Sequence, residues 1–199
     1  MSAFPTPGQA IEEASFAILA ARVDLSGLGP LARAVVARMI HASADLTYAD
    51  TVIAAEHHLA AGVAALAAGA PVVTDVEMVR HGITGVEARC YLAEAGDGPV
   101  PGLTRSAAAM VLAATHHPEG AVVVVGCAPT ALGAVVRLAA AGDLRPALVI
   151  GLPVGFVGAA VAKEALRASG LPSLTNVGDK GGSAVAAAAV NALVRAARS

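Results

Sequence analysis

The sequence contains few aromatic residues, few charges and few cysteines. Its 199 residues include three Phe, two Tyr and no Trp, and 14% of them are charged, well below the quarter that is usual in globular domains. Without aromatic side chains there is no platform on which bases could stack, which excludes one common way of binding nucleic acid. A net charge of -2 with scattered basic residues excludes the basic surface of a nucleic-acid-binding protein. We therefore expect no nucleic-acid partner.

No segment has the pattern of a membrane span or a secretory signal. The two longest charge-free windows, residues 120–136 and 146–162, are interrupted by Gly and Pro, which is typical of a buried strand, loop and helix. The first residues contain no basic start before an apolar run. Cys90 and Cys127 lie far apart in the sequence, which suits a reducing compartment. We expect a cytoplasmic protein with no membrane partner.

The length and the apolar composition predict one domain with an oligomeric surface. Residues 1–199 are long enough to bury a sizeable core as a single domain, in which Pro5 and Pro7 predict a poorly ordered start over residues 1–8. Hydrophobic residues make up 56% of the chain. So much apolar surface with so little charge indicates that a second subunit covers part of the exterior, and we expect a homodimer.

Repeated units of strand, glycine-containing loop and helix dominate the second half of the chain. Residues 147–160, reading ALVIGLPVGFVGAA, begin as a buried strand, turn at glycines and enter a helix, and residues 122–130 and 174–183 repeat this order. Such alternation predicts an α/β fold in three layers, with helices on both faces of a mostly parallel sheet. Ligands of such sheets bind at the carboxyl ends of the strands. In the first half we predict helices over 9–22, 31–42 and 51–68, and strands over 70–76 and 88–92.

The loops do not match the common nucleotide-binding or hydrolase motifs. Pro153 stands where the dinucleotide fingerprint needs its second glycine, and Lys180 precedes its glycine pair, which a phosphate-binding P-loop does not allow. The sequence has no Gly-x-Ser-x-Gly elbow. Taken alone, these residues indicate an α/β domain that binds an anionic, partly apolar small molecule.

Two cations stand at predicted helix starts. Thr104 caps a helix that begins with Arg105 and Ser106, and Lys180 precedes the segment 181–183 before the last helix. A cation in a first turn opposes the helix dipole and costs a few tenths of a kcal/mol. Each cation is therefore either solvated or joins the helix N-terminus in holding a carboxylate.

One histidine lies off the apolar stripe of its helix. In the predicted helix 31–42, His41 lies on the face of Ala34, Ala37 and Arg38, opposite the apolar stripe. This position suits either a solvated histidine or one that a broad, flat ligand approaches. We interpret the pairs at 57–58 and 116–117 as helix-surface histidines. Glu77 and His81 have the spacing of a metal-ligand pair, but no further ligand matches them, so we predict no metal site.

The order of several short motifs resembles the precorrin-8X methylmutase family from about residue 9 to residue 193. The matching motifs are SFAI at 15–18, RMIHA at 38–42, GAPV at 69–72, DVEMV at 75–79, HGIT at 81–84, TRSAA at 104–108, GCAPTAL at 126–132, GLPVGFVGAA at 151–160 and KGGS at 180–183. The resemblance implies a flavodoxin-like fold, a homodimer and a step of cobalamin biosynthesis. In that step a methyl group moves from C11 to C12 of precorrin-8X to give hydrogenobyrinic acid, without a redox cofactor or a catalytic metal.

The resemblance also assigns roles to residues. It implies that His41 is the catalytic proton donor and acceptor, because protonation of a pyrrole-ring nitrogen would favour migration of the methyl group. The residues that it implies for substrate binding are Ser15, Thr84, Arg105, Ser106, Thr130, Lys180, Gly181, Gly182 and Ser183.

Three alternatives stay open on the sequence. The substrate of the anaerobic counterpart is cobalt-precorrin-8, the cobalt-bearing form of the ring. A second hypothesis is a non-catalytic tetrapyrrole carrier that retains product for channelling to the next enzyme. The third, a nucleotide-binding module on the same fold, lacks the expected fingerprint.

Overall fold

The computed structural model describes residues 8–96 and 102–198 and contains the predicted alternation of strands and helices. The helices are α1 Gly8–Arg22, α2 Pro30–Ser43, α3 Tyr48–Thr51, α4 Glu56–Ala67, α5 Glu77–Gly82, α6 Arg105–His116, α7 Pro129–Ala141, α8 Ala159–Ala168 and α9 Ser183–Ala197. The strands are β1 Val52–Ala54, β2 Val72–Thr74, β3 Ala88–Cys90, β4 Val122–Val125, β5 Leu148–Gly151 and β6 Ser173–Asn176.

The six strands form one mostly parallel sheet. Their spatial order is β1-β6-β5-β4-β2-β3, and β1 alone is antiparallel to its neighbour. Without β1, the parallel strands have the 2-1-3-4-5 order of flavodoxin-like folds when they are numbered along the chain. The predicted α/β class, the parallel sheet and the flavodoxin-like topology are confirmed. The reversal of strand order, where such folds bind ligands, falls between β2 and β4.

Alternate side chains of the central strands divide the core into two halves. Val122 and Val124 of β4 face the cluster formed with α2, α4, α5 and α9. Val123 and Val125 face the cluster formed with α6, α7 and α8. Because a strand that is covered on both faces has no polar side, four consecutive valines are the expected sequence at this position. The three-layer arrangement follows from this burial.

The predicted helix over 51–68 is wrong at its start. Residues 52–54 form β1, which pairs with β6 in the register Val52 with Asn176, and α4 begins only at Glu56. A three-residue edge strand is too short to show a period of two, and its partner strand lies more than 100 residues later in the chain. Tertiary pairing therefore overrode the helical pattern of the alanine-rich sequence.

The other boundaries agree closely with expectation. The helices predicted over 9–22 and 31–42 agree with α1 and α2 to within one residue at each end, while the strands predicted over 70–76 and 88–92 are shortened by two residues at one or both ends. The predicted poorly ordered start lies outside the described residues except for Gly8, which begins α1. Within the ranges that the structure describes, no helix is both long and apolar enough to cross a membrane.

Two of the predicted surface histidines make internal contacts instead. The Nδ1 atom of His58 accepts the Ser173 backbone N–H at 3.2 Å. His117 follows the end of α6, and its Nε2 lies 2.7 Å from the Tyr91 hydroxyl. Burial lowers the pKa of His117. The prediction of a helix-surface residue is therefore wrong for His117, because this residue follows the last helical residue and its side chain is half-buried against Tyr91.

Candidate active site

The end of α2 and the three glycine-containing loops lie at the same edge of the sheet, the one formed by the carboxyl ends of the parallel strands. β1 begins beside the last residue of β6, so the chain between α2 and β1 passes the carboxyl ends of the parallel strands. The start of α2 is fixed at the opposite edge, where the Glu56 carboxylate accepts the backbone N–H groups of Leu31 at 2.7 Å and Ala32 at 3.1 Å. Pro30 occupies the first turn, where its missing N–H leaves no bond unmade. Thus α2 is anchored at its start and presents its last turns to the ligand-binding edge.

His41, in the last turn of α2, is held at one ring nitrogen. The hydroxyl Oγ of Ser15 lies 2.8 Å from His41 Nδ1, and the Phe16 ring stacks on the imidazole with centroids 5.0 Å apart. The ring is half-buried, and between the residues that the structure describes no hydrogen bond reaches its Nε2. The contact at Nδ1 fixes the orientation of the ring and leaves Nε2 available for chemistry.

The small-residue face predicted beside His41 borders an apolar cleft. A cavity of about 360 Å³ lies between α1, α2 and α9, with Phe16, Ala34, Ala37 and Ala192 among its lining residues. Arg38 lines the same cavity and lies over the Phe16 ring at 5.8 Å. The cleft therefore has an apolar lining with cationic groups at its rim.

Thr84 lies on a second, polar cleft that shares Arg38 with the first. This cavity of about 470 Å³ is lined by Arg38, Thr84, Asn191 and Arg198 among others. The Thr84 backbone N–H donates to Asn191 Oδ1 at 2.8 Å, which fixes the loop after α5 against α9. Arg38 also pairs with Glu12 of α1, so the two clefts meet at an ion pair.

The segment 180–183 is fixed against the loop after β5. The Gly182 backbone N–H donates to Leu152 O at 2.9 Å, and a Cβ atom on Gly181 would collide with the carbonyl oxygens of Leu152 and Pro153. Gly182 has a φ of +128°, a conformation that favours glycine, and Ser183 then begins α9. The glycines are thus required by close backbone approach and by conformation.

Lys180 is already paired with a carboxylate of this chain. Its Nζ donates to Asp45 Oδ2 at 2.7 Å and to Thr47 Oγ1 at 3.0 Å. The hydrogen bond from Lys180 is the main reason that the pKa of Asp45 falls to about 2, and Thr47 adds to it. Because Asp45 closely follows α2, this contact joins the loop after β6 to the end of the helix that carries His41.

The starts of α6 and α7 lie side by side. They carry three predicted site residues, Arg105, Ser106 and Thr130. Thr104 caps α6 as predicted, with its Oγ1 accepting the Ala107 N–H at 3.3 Å, and the same oxygen lies 2.7 Å from Thr130 Oγ1 at the start of α7. Arg105 donates from Nε to Leu92 O at 3.1 Å. These residues form a second group of predicted site residues, separate in its contacts from the group around His41.

Asp75, to which no role was assigned from the sequence, connects the loops at the reversal of strand order. Its buried carboxylate accepts the backbone N–H groups of Gly126 at 3.0 Å, Cys127 at 2.9 Å and Ala128 at 2.8 Å. Burial raises the pKa of Asp75, and the three N–H donors oppose that rise. An internal carboxylate therefore occupies the donors that a nucleotide-binding relative of this topology would offer to its ligand.

Glu77 and His81, which have the spacing of a metal-ligand pair although no metal site was predicted there, contact each other and Arg80. The Glu77 carboxylate accepts a hydrogen bond from Arg80 and lies 3.4 Å from His81 Nε2. Over residues 8–96 and 102–198, no group of three or more His, Cys, Asp or Glu side chains is arranged to hold a metal ion.

Comparison with known proteins identifies the family. The model of the family described as Precorrin-8X methylmutase matches residues 10–196. A Precorrin-8X methylmutase of Pseudomonas aeruginosa is 43% identical over 200 residues, which cover 94% of each chain. A Cobalt-precorrin-8 methylmutase of Methanothermobacter thermautotrophicus is 42% identical over 174 residues, which cover 86% of this chain and 84% of that protein.

A solved structure agrees with this identification. The precorrin-8x methyl mutase of Thermus thermophilus superposes with a TM-score of 0.86 at 39% identity, and the match covers 96% of both chains. Sequence and fold thus agree over nearly the whole chain. The chain belongs to the precorrin-8X methylmutase family, whose members are methyl-shifting isomerases of cobalamin biosynthesis.

Proposed function

We propose that this isomerase moves the methyl group from C11 to C12 of precorrin-8X, giving hydrogenobyrinic acid, with His41 as the proton donor and acceptor. The observation that carries the proposal is the geometry of the imidazole. Ser15 holds Nδ1 at 2.8 Å, Phe16 stacks on the ring, and an apolar cleft with arginines at its rim lies alongside. The shift breaks the C11–methyl bond and forms the C12–methyl bond within one molecule, so substrate and product are isomers.

The proton that His41 supplies has an electronic role. A proton on, or shared with, a pyrrole-ring nitrogen redistributes the π electrons of the macrocycle and favours migration. The proton returns to the imidazole when the new bond has formed, so the enzyme ends in its starting state. A histidine suits this exchange because its unperturbed pKa is near neutrality. Ser15 holds the imidazole in the orientation that presents Nε2 to the macrocycle.

The remaining predicted residues fit the rim of such a substrate. A tetrapyrrole with carboxylate side chains requires an apolar surface for the ring and donors around its edge. We assign the donors to Lys180 with Gly181, Gly182 and Ser183, to Arg105 with Ser106 and Thr130, and to Thr84. The first two groups lie at helix starts, where backbone N–H groups and the helix dipole favour a bound carboxylate.

The substrate assay has two arms, because relatives of similar identity carry the names of both substrates. Purified protein is incubated with precorrin-8X and with cobalt-precorrin-8, and the absorbance of each product is followed. We expect turnover of precorrin-8X with the higher kcat/KM. Product binding without turnover of either compound would instead favour the carrier that retains product for the next enzyme.

Replacement of Asp45 by asparagine is expected to lower the KM two- to fivefold. Asp45 pairs with the ammonium of Lys180 that we assign to the substrate, and an exposed ion pair contributes about 0.2–1 kcal/mol. The amide oxygen of asparagine still accepts the Thr47 N–H and hydroxyl bonds that Asp45 Oδ1 accepts, so the turn is retained. Because the pKa of Asp45 is about 2, the effect is expected to be constant across a neutral pH range.

The matched control is Asp24→Asn, which makes the same charge change at an exposed carboxylate on the loop after α1. Its KM should equal that of the unmodified protein. A higher KM or a lower kcat for Asp45→Asn would mean that the contact with Lys180 supports the end of α2 and does not compete with substrate.

We assign the homodimer face to an exposed apolar surface around the start of α8. Phe156 is 96% exposed, Val157 89% and Val161 74%, all on or beside the loop after β5. Apolar side chains exposed together in this way are typical of a subunit interface. The loop is joined to the Lys180 segment by the hydrogen bond from Gly155 N–H to Asp179 O at 3.0 Å, so a second copy seated here would border the proposed substrate site.

Val157→Asp is expected to raise the dimer dissociation constant at least 100-fold, because an aspartate would be buried in an apolar interface. Light scattering coupled to size-exclusion chromatography over a concentration series measures this change. Val111→Asp, at an exposed valine on the outer side of α6, is the matched control and should leave the dimer intact. A dimer that survives Val157→Asp would exclude this face.

We also propose a cytoplasmic location, in which Cys90 and Cys127 stay reduced.

A further inference from the structure

The chain has only two lysines, Lys163 and Lys180, and both contact the same loop. Lys180 projects from the loop after β6, and its side chain is 54% exposed. Lys163, on α8, lies beneath that loop with no exposed surface. Apart from its histidines, all other basic residues of the chain are arginines. These two positions therefore differ from the rest in carrying a lysine.

The ammonium of Lys163 bonds to the backbone of the loop. Its Nζ donates to Gly178 O at 2.9 Å and to Lys180 O. The Lys180 carbonyl also accepts the Asn176 Nδ2–H at 2.9 Å, so two buried side chains hold the same peptide group. Together these bonds fix the backbone on both sides of Asp179, directly below the Lys180 side chain.

Lys163 occupies a position where the helix pattern would place an apolar residue. The buried stripe of α8 consists of Ala159, Ala162, Lys163 and Leu166, which recur at helical spacing. Within the described residues no carboxylate lies within ion-pair distance of the ammonium. Burial lowers the pKa of Lys163 to about 8, and the charge of Asp179 partly opposes that shift. A buried charge of this kind is unfavourable unless its hydrogen bonds fix a specific conformation. The groups that it fixes are the carbonyls of the loop that carries Lys180.

We propose that Lys163 is a positioning residue for substrate binding, whose buried ammonium holds the loop 178–182 so that Lys180 and the first turn of α9 receive a substrate carboxylate. This inference rests on the proposed function, because it takes the Lys180 segment as a carboxylate-binding element. Lys163 does not touch the substrate. It sets the direction in which Lys180 leaves the backbone, and Gly182 then carries the chain into α9.

Lys163→Met tests this role, because methionine keeps the length and the apolar stem of lysine and removes the donors. We expect KM for precorrin-8X to rise at least tenfold while kcat changes less than threefold, since His41 and Ser15 lie on other helices. Leu166→Ala is the matched control on the same buried stripe of α8. It should lower the urea midpoint of unfolding at least as much as Lys163→Met, yet leave KM within twofold.

A second readout follows Lys180 without any turnover. With selective 15N-lysine labelling, the unmodified protein gives two backbone amide signals and Lys163→Met retains only that of Lys180. We expect titration with hydrogenobyrinic acid to shift the Lys180 signal in both proteins, with at least a tenfold weaker dissociation constant in the variant. If Lys163→Met does not fold, Lys163→Gln keeps one amide donor and should show an intermediate loss of affinity.

The outcomes distinguish a failure of the positioning role of Lys163 from a failure of the proposed function. Unchanged KM and unchanged product affinity in a folded Lys163 variant overturn the positioning role while the proposed function stands. Equal increases of KM in Lys163→Met and Leu166→Ala also overturn it, because they reduce Lys163 to a general contributor to stability. An unmodified protein that neither converts nor binds the tetrapyrrole overturns the proposed function itself.

Discussion

Replacement of His41 by alanine is expected to lower kcat by at least about 100-fold, the lower end of what a positioned general acid or base contributes. The KM and the affinity for hydrogenobyrinic acid should change less than threefold, because the carboxylate donors lie on other segments of the chain. Initial rates from product absorbance give kcat, and titration of the coloured product gives the affinity. Loss of rate without loss of binding is the pattern of an interaction made in the transition state.

Two further variants define the role of the imidazole. Ser15→Ala removes the bond to Nδ1 and should lower kcat by about tenfold, because the ring keeps its proton but loses its fixed orientation. His81→Ala removes a histidine that is exposed beside Glu77 and should leave both constants unchanged. If His41→Ala turned over substrate as fast as the unmodified protein, the proposed mechanism would be wrong.

Replacement of Asp75 by alanine is expected to lower the free energy of unfolding by about 3–5 kcal/mol. Three backbone N–H groups would lose their acceptor, and each buried donor without a partner costs about 1–3 kcal/mol, part of which water recovers at the exposed Cys127. Urea unfolding followed by circular dichroism measures the difference. Because the same bonds fix the start of α7, weaker binding at Thr130 is expected as well.

The matched control is Asp143→Ala, at an exposed aspartate after α7, which should change stability by less than about 0.5 kcal/mol. Asp75→Asn should fall between the two, because its amide oxygen accepts one or two of the three bonds. A loss below about 1 kcal/mol for Asp75→Ala would show that the loop after β4 holds its conformation without this carboxylate.

The parts of the fold that were predicted correctly depend on local sequence. The valine run of β4 and the glycine and proline residues around it determine a buried strand and its ends within a few residues. Thr104 similarly marks the start of α6, which the structure confirms. β1 was missed because its strand character depends on pairing with β6, and three residues carry too weak a local pattern to indicate that contact.

The candidate site, like the fold, could be predicted from the sequence only where a local pattern indicates it. The position of His41 off the apolar stripe was visible in the sequence, whereas its proposed role came from the resemblance to a family. The contacts of Asp45, Asp75 and Lys163 were not predicted. Asp45 and Lys180 are separated by 135 positions, and Asp75 and Gly126 by 51, so no local pattern connects them. One signal was available for Lys163, since a charged residue on an otherwise apolar helical stripe indicates a buried polar contact.

The fold gives a physical reason to expect that this chain binds a nucleotide weakly. In open α/β sheets, backbone N–H groups at the reversal of strand order commonly receive the ligand. Here Asp75 accepts those of the loop after β4, and the proposed substrate donors lie instead along the starts of α6, α7 and α9. A broad ring with several carboxylates can reach all of these separated groups at once, whereas a single phosphate is too small to do so.

The most direct test of the central claim is a crystal structure of the protein with hydrogenobyrinic acid bound. We predict that His41 Nε2 lies within about 3.5 Å of a nitrogen or an adjoining carbon of the macrocycle, with the Ser15 bond to Nδ1 retained. We also predict a substrate carboxylate at Lys180, in place of Asp45. An imidazole well beyond hydrogen-bond distance of the ring in every subunit of the assembly would contradict the account.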